Sequence, residues 1–412
     1  MPEFLRLQTP SEALARLLEA LPHDASPGVE DMPTQDALGR VLANDVRAPH
    51  ALPPFPRSSV DGYAVRAADT FGASASLPAY VSLAGEVLMG TRTTLNVQRG
   101  QAALVHTGGM IPSGADAVVM VEDTQVARPG EIEILKPAAP GQNVLLLGED
   151  VQPGETVLQR GVRLRAQEIG GLMALGLTRV GVIRRPRVAI LSTGDEVVAP
   201  DADPLPGQVR DVNTYTLSAL VTQAGGEPVL YGILPDQRDA LETAARDAYA
   251  SCDVVLITAG SSVSTRDLTS EIIATLGSPG VLAHGVALKP GKPTILAVCG
   301  GKPVIGLPGN PVSALVVAGL FVTPLLHRLL GVQAPRLTPR VAARLTTNIP
   351  SEAGREDYVP VRVSGEEGAF VAEPVFGKSN LIFTLVRADG LVRVPPEANG
   401  LPAGAQVEVL LF

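Results

Sequence analysis

The chain has 412 residues, 45% of them hydrophobic and 18% charged, which describes a globular protein of two to four domains rather than a disordered one. A net charge of −9, no Trp and 3% aromatic content exclude the basic patch and the stacking platform that a nucleic acid or an anionic membrane would need. Cys252 and Cys299 make no disulfide framework and no thiolate cluster, each borders an apolar run and reads as a buried thiol, and the five histidines lack metal-ligand spacing.

The 42 Gly and 36 Pro promise many turns and short strands. The opening MPEFLRLQTP shows no basic-then-apolar leader pattern. The longest apolar segment, 312–330, carries Ser, Pro, His and Arg and suits a core helix better than a membrane span, so a soluble cytoplasmic protein is expected.

In chain order, Thr9-Pro10-Ser11-Glu12 is a capping box ahead of Ala13, Leu14, Leu17, Leu18 and Leu21, which predicts an amphipathic helix to about Leu21. A polar loop over 22–33 leads to a second short helix at 34–43. Pro49, Pro53, Pro54 and Pro56 forbid a helix and mark a boundary. Asp61-Gly62 is a turn before a strand at 63–65. Short apolar runs at 79–83, 102–106, 117–121 and 132–135 then make a small all-β module over 51–144. Within it, Thr107-Gly108-Gly109 permits close backbone approach to a ligand, or simply a turn. A helix at 165–174, closed by Gly176, is expected to pack on the first helix, so that 1–50 and 145–184 form one helical domain interrupted by the β module.

From 185 the period changes. Strands at 188–191, 229–234 and 253–258 alternate with helices at 215–224 (N-cap Asn213), 239–249 and 267–276. Apolar runs at 294–298 and 304–307 complete a doubly wound, mostly parallel sheet over 185–331. Ligands of such sheets bind beyond the carboxyl ends of the strands, which here carry Thr193, Glu196, Asp236, Ser262, Asp267 and the turn Pro308-Gly309-Asn310-Pro311. Asn310 suits an N-cap and Pro311 the first helical position. The exposed amides of that helix start, with Lys289 and Lys292 nearby, suit an oxyanion, although the turn alone equally reads as a tight connection with solvated lysines. Runs at 341–345, 358–363, 370–374, 391–394 and 407–411 make a barrel-like or sandwich domain over 332–412, with Arg355 and Lys378 in its loops.

Nine segments in sequence, PPFPRSSVDGYAV, HTGGMIPSGADAVVMVED, GEDV, VAILSTGDEV, DVN, LPD, SSVSTRD, LKPGKP and GLPGNPVSAL, resemble the molybdopterin molybdenumtransferase family, called MoeA in bacteria and matching the E domain of gephyrin. Pro56 stands where many members have Asp, and Ala259 to Ser264 lacks glycines that many carry. The resemblance implies an elongated helical domain, an inserted β module, an α/β molybdopterin-binding domain and a C-terminal β domain. It also implies a homodimer in which the α/β site of one chain faces the β module of the other.

The implied reaction inserts molybdate into adenylylated molybdopterin with release of AMP, aided by Mg²⁺. The upstream adenylyltransferase is an implied partner. Asp61, Asp150, Glu196, Asp236 and Asp267 carry over as catalytic residues, with Asp236, Asp267 and Glu196 as candidate Mg²⁺ ligands. Thr107, Thr193, Gly194, Ser262, Lys289, Lys292, Pro308, Gly309, Asn310, Ser313 and Arg355 carry over as substrate-binding. The alternatives are a nucleotide pyrophosphatase on the related fold, which would lack the inserted module with DGYA, and a non-catalytic pterin-binding scaffold.

Overall fold

The computed structural model describes residues 7–259, 263–333, 339–366 and 368–412, with backbone alone at 259 and 263–267. The first helix, α1 (Pro10–Glu19), starts as its sequence dictates: the Glu12 N–H donates to Thr9 Oγ1 at 3.3 Å and the Thr9 N–H to Glu12 Oε2 at 2.9 Å. Its apolar stripe does not meet the second helix, contrary to the sequence expectation. Ala13, Leu17 and Leu21 instead enter the core of the α/β domain, where α1 packs on the last long helix. The second helix, α2 (Ala166–Ala174), buries Leu172 beside Leu164, Ala37, Val180 and Val182. The expected helix at 34–43 shrinks to one 3₁₀ turn, Thr34–Asp36, because Val29–Pro33 before it is held in an antiparallel ladder with Arg179–Ile183.

The central sheet runs Glu227–Leu234, Arg187–Thr193, Val254–Ala259, Lys302–Pro308, Ile295–Cys299, Pro279–His284. The first four strands are parallel. Ile295–Cys299 runs antiparallel to both its neighbours, so the two apolar runs around Gly300-Gly301 form a hairpin and Pro279–His284 runs in the direction of the first four. Helices α3 (Asn213–Ala224), α4 (Arg238–Ser251), α5 (Val263–Thr275) and α6 (Pro311–Leu329) cover it. Val188 and Ile190 point to the face under α1, α3 and α6, while Ala189 and Leu191 point to the face under α4 and α5. The long apolar segment is indeed a core helix, with Val317, Phe321, Leu325 and Leu326 fully buried. Asn213 is the first residue of α3 rather than its cap; the Asp211 carboxylate accepts the Thr214 N–H instead.

The β module is a six-stranded sheet ordered Ala117–Met120, Gly62–Val65, Gln101–Val105, Ala79–Glu86, Glu131–Ile134, Thr124–Arg128. Gly62 is required there, since a Cβ would lie 2.0 Å from the Val119 carbonyl oxygen. The C-terminal strands close on themselves: Glu356–Ser364, Val371–Pro374, Arg340–Leu345, Gln406–Leu411, Gly390–Val394 and back to the first. The barrel reading holds over the sandwich. Leu288–Lys289, from the α/β domain, adds in parallel at Glu356–Asp357 and ties the two domains together.

Candidate active site

All four parallel strands end at one edge of the central sheet, and their order fixes what lies along it. Arg187–Thr193 turns at Gly194, whose φ of +145° favours glycine and where a Cβ would press on the Glu196 and Val197 side chains at 2.8 Å. That turn presents Asp195 and Glu196. The neighbouring Glu227–Leu234 ends at Asp236, whose N–H donates to Asp195 Oδ1 at 3.1 Å. Burial first, then the negative charges of Asp195 and Glu196, push the Asp236 carboxyl above its ordinary value. Its Oδ1 is buried with no partner among the described residues. Thr193, only 5% exposed, sets its hydroxyl between the Thr258 carbonyl oxygen (3.2 Å) and the Asp236 carboxylate, so it positions rather than faces solvent.

Three strands along from Asp236, about 14 Å at the usual strand spacing, Lys302–Pro308 runs into the Pro308–Pro311 turn. Asn310 sits at the N-cap, as expected, but its side chain does not cap the helix. Its Nδ2 donates to Ser379 Oγ at 2.9 Å, and the Val312 N–H donates to the Ser379 carbonyl oxygen at 3.0 Å. One of the amides expected to meet an anion is thereby used to dock the barrel. The Gly309 carbonyl accepts Asn213 Nδ2 at 2.8 Å, which ties the turn to α3.

Beyond the turn opens a cavity of about 1070 Å³ between the α/β domain and the barrel. Lys289, Lys292, Asn310, Ser313 and Arg355 all line it, with Lys378 and Ser379 from the barrel. Arg355 Nε donates to Asp357 Oδ1 at 2.9 Å, its Nη1 lies 2.9 Å from Glu352 Oε2, and Lys289 Nζ lies 3.7 Å from Asp357 Oδ2. Asp357 is 2% exposed. Next to it in the chain, Glu356 is clasped by Arg393 through Nε and Nη2 (2.8 and 2.7 Å) and accepts from the Tyr358 hydroxyl at 2.9 Å, a pairing that depresses the Glu356 carboxyl.

The remaining motif residues gather on the β module. Asp61 Oδ1 accepts the Thr107 N–H at 2.8 Å, with the Thr107 hydroxyl at 3.3 Å. His106 bridges this carboxylate (3.7 Å) and Glu86 (2.9 Å), and the Glu86 contact is the main reason its ring holds a proton above the usual value. Asp150 is exposed, its N–H bonded to the Leu52 carbonyl, so the GEDV segment lies against the start of PPFPRSSVDGY. The structure therefore unites Glu196 with Asp236, six expected residues (Lys289, Lys292, Pro308, Asn310, Ser313 and Arg355) around the cavity, and Asp61 with Thr107. The side chains of Ser262 and Asp267 lie outside those described. Among the described residues no three of His, Cys, Asp and Glu converge as metal ligands.

Sequence reasoning missed Asp195, Asp357 and Ser379. Arg355 and Asp357 are two apart on an extended segment and so share a face, a signal that was there to be read.

Three family models match the chain: the MoeA N-terminal region (domain I and II) at 8–176, a probable molybdopterin binding domain at 189–328 and the MoeA C-terminal region (domain IV) at 342–412. The chain is 35% identical to a molybdopterin molybdenumtransferase of Nostoc, over 91% of this chain and 86% of that one. It is 32% identical to one of Haemophilus influenzae, over 98% of both. A solved molybdopterin biosynthesis moeA protein from Pyrococcus horikoshii OT3 superposes with a TM-score of 0.86 at 34% identity, covering 99% of this chain and 100% of that one.

Proposed function

The chain belongs to the MoeA family of molybdopterin molybdenumtransferases, enzymes of molybdenum cofactor biosynthesis, and from that premise we propose that it inserts molybdate into adenylylated molybdopterin and releases AMP in a Mg²⁺-dependent step. The observation that carries this reading is the segregation of charge along one sheet edge: carboxylates at Asp195, Glu196 and Asp236, cations at Lys289, Lys292 and Arg355. A substrate with a pyrophosphate at one end and an oxyanion acceptor at the other matches that polarity.

In this reading Lys289, Lys292 and Arg355 hold molybdate by charge-assisted hydrogen bonds, with Ser313 and Ser379 as hydroxyl partners. Asp236 and Glu196 serve the phosphoanhydride end. The Oδ1 of Asp236, unpartnered among the described residues, fits a hard cation that takes one or two carboxylates from the protein and the rest of its shell from phosphate and water. Such a cation supplies neutralisation of phosphate charge during cleavage. Asp267 remains a candidate for the same end.

We further propose a homodimer in which the rim bearing Asp61, Thr107 and Asp150 faces a partner's sheet edge; His106 and Thr107 hold Asp61 ready for it. The two buried, unpaired thiols fit a reducing compartment, so we place the protein in the cytoplasm. A physical link to the upstream adenylyltransferase would spare a labile intermediate from bulk water.

The test is AMP release by purified chain from adenylylated molybdopterin with Mg²⁺, with and without molybdate. Molybdate-dependent release is expected. Release that ignores molybdate would mark a pyrophosphatase, and tight pterin binding without turnover a scaffold. For the shared site, mixing Asp61→Asn with Asp236→Asn protein should restore activity that neither has alone, since a mixed dimer rebuilds one intact site; no recovery after subunit exchange removes the dimeric arrangement.

A further inference from the structure

An oxyanion cavity is an unexpected home for a buried carboxylate, yet Asp357 lies at the base of this one, 2% exposed and in contact with two of its cations. It is there by construction: the parallel pairing of Leu288–Lys289 with Glu356–Asp357 sets Lys289 directly opposite Asp357, and Arg355 lies two residues before it. Among the described residues the cavity is lined by four cationic side chains, Lys289, Lys292, Arg355 and Lys378, and by two carboxylates, Glu352 and Asp357. The balance is two positive charges.

We propose that Asp357 is the positioning residue of this cavity, orienting Arg355 and Lys289 from beneath and trimming the site to the charge that complements a tetrahedral dianion. The inference rests on reading the cavity as the molybdate site. Its physical content is specificity. Without Asp357 the site would carry a third net positive charge, Lys289 would lose its partner and Arg355 would keep only the exposed Glu352. With it, Arg355 is held through Nε, which leaves its outer nitrogens to face a ligand or Glu352. Selectivity among anions of one shape then depends on charge alone, because each unit of site charge acts twice on a dianion and once on a monoanion.

Molybdate and perrhenate are tetrahedral oxyanions of nearly the same size and differ by one charge. Equilibrium binding of each to the full chain by calorimetry reads the preference directly. Asp357→Asn keeps the side-chain shape and raises site charge by one, so the molybdate-over-perrhenate preference should rise about fivefold. Lys289→Gln lowers the charge by one and should reduce the preference about threefold, less because this side chain is 59% exposed and screened. The double variant restores the balance and should return the preference to within about twofold of wild type.

Both single substitutions shifting the preference in the same direction, or no restoration in the double variant, would overturn the proposal. If Asp357→Asn protein lacks the wild-type far-ultraviolet spectrum, the exposed Lys289→Gln variant still decides, and an unchanged preference there rejects the idea. Arg355→Ala separates the two levels. Weakened molybdate binding with no charge dependence at Lys289 and Asp357 rejects the role of Asp357 alone. Unchanged molybdate binding in Arg355→Ala removes the cavity assignment and this inference with it.

Discussion

The two ends of the functional sheet edge are built on opposite principles. At the cationic end two of the three anchoring cations have a counterpart before any ligand arrives: Arg355 with Asp357 and Glu352, Lys289 with Asp357, and behind them Glu356 with Arg393 and Tyr358. At the acidic end Asp236, Asp195 and Glu196 crowd together with no cation among the described residues, and an Asp236 oxygen is buried with no partner among them. The first end is preorganised, and its geometry persists in the free protein. The second stores unfavourable charge that a ligand would relieve. In the proposed reading the carboxylates at the acidic end serve the chemistry and the paired groups at the cationic end serve binding.

Four experiments press on this contrast. The largest effect is expected at Asp236. Its Asn variant should lose about 10²–10⁴-fold in turnover and yet melt at a higher temperature near pH 7. The folded Asp236 carboxyl titrates above its ordinary 3.8, so its contribution to stability is intact below that value and is lost as pH rises through the folded value. At neutral pH the ionised group is a liability that Asn removes. Thermal unfolding with and without MgCl₂ sharpens the point: Mg²⁺ should raise the wild-type melting temperature and leave Asp236→Asn unchanged. A fall in stability on substitution would end the idea of stored charge at this end.

At the cationic end, Arg393→Gln should destabilise by about 2 kcal/mol, because it leaves Glu356, 5% exposed, without its main partner. Chemical denaturation monitored on the barrel measures it, and a neutral result would show that the pairing is decorative. The pH dependence has the opposite sign to that of Asp236. Arg393 depresses the Glu356 carboxyl below 4.5, so this stabilisation is present above 4.5 and is lost as pH falls through the folded value. Wild type and Arg393→Gln should therefore converge in stability as pH drops below 4.5, and curves that stay parallel would contradict the linkage.

The smallest effect is expected at Asn310→Ala, which removes one hydrogen bond to Ser379. About 1 kcal/mol of stability and a modest rise in molybdate KM with kcat retained are expected. A large loss of kcat would instead place Asn310 in direct contact with the reacting groups.

Local pattern carried much of this molecule. The capping box of α1, the Pro311 start of α6, the β–α alternation from 185 and five of the barrel strands were readable because propensity and period agree with burial there. The helix expected at 34–43 failed because the preceding strand is recruited into a ladder with Arg179–Ile183, about 150 residues away in sequence, and no local signal reports such a partner. The packing of α1 failed for a related reason: an amphipathic stripe says that a helix must be covered, not by what.

The sequence by itself determined which groups carry charge, where the α1 capping box and the Pro311 helix start fall, and, through nine ordered motifs, the family. It named Lys289, Lys292, Arg355, Glu196 and Asp236 because a carboxylate or an ammonium at a strand end is visible one residue at a time. Only the tertiary structure decided that the cations share a cavity closed by the barrel, that Ser379 takes the Val312 amide, and that a buried Asp357 lies beneath Arg355 and Lys289. Those facts depend on one parallel pairing between strands of different domains. Backbone register across some 70 residues is set by the summed packing of both cores, not by the residues that it brings together.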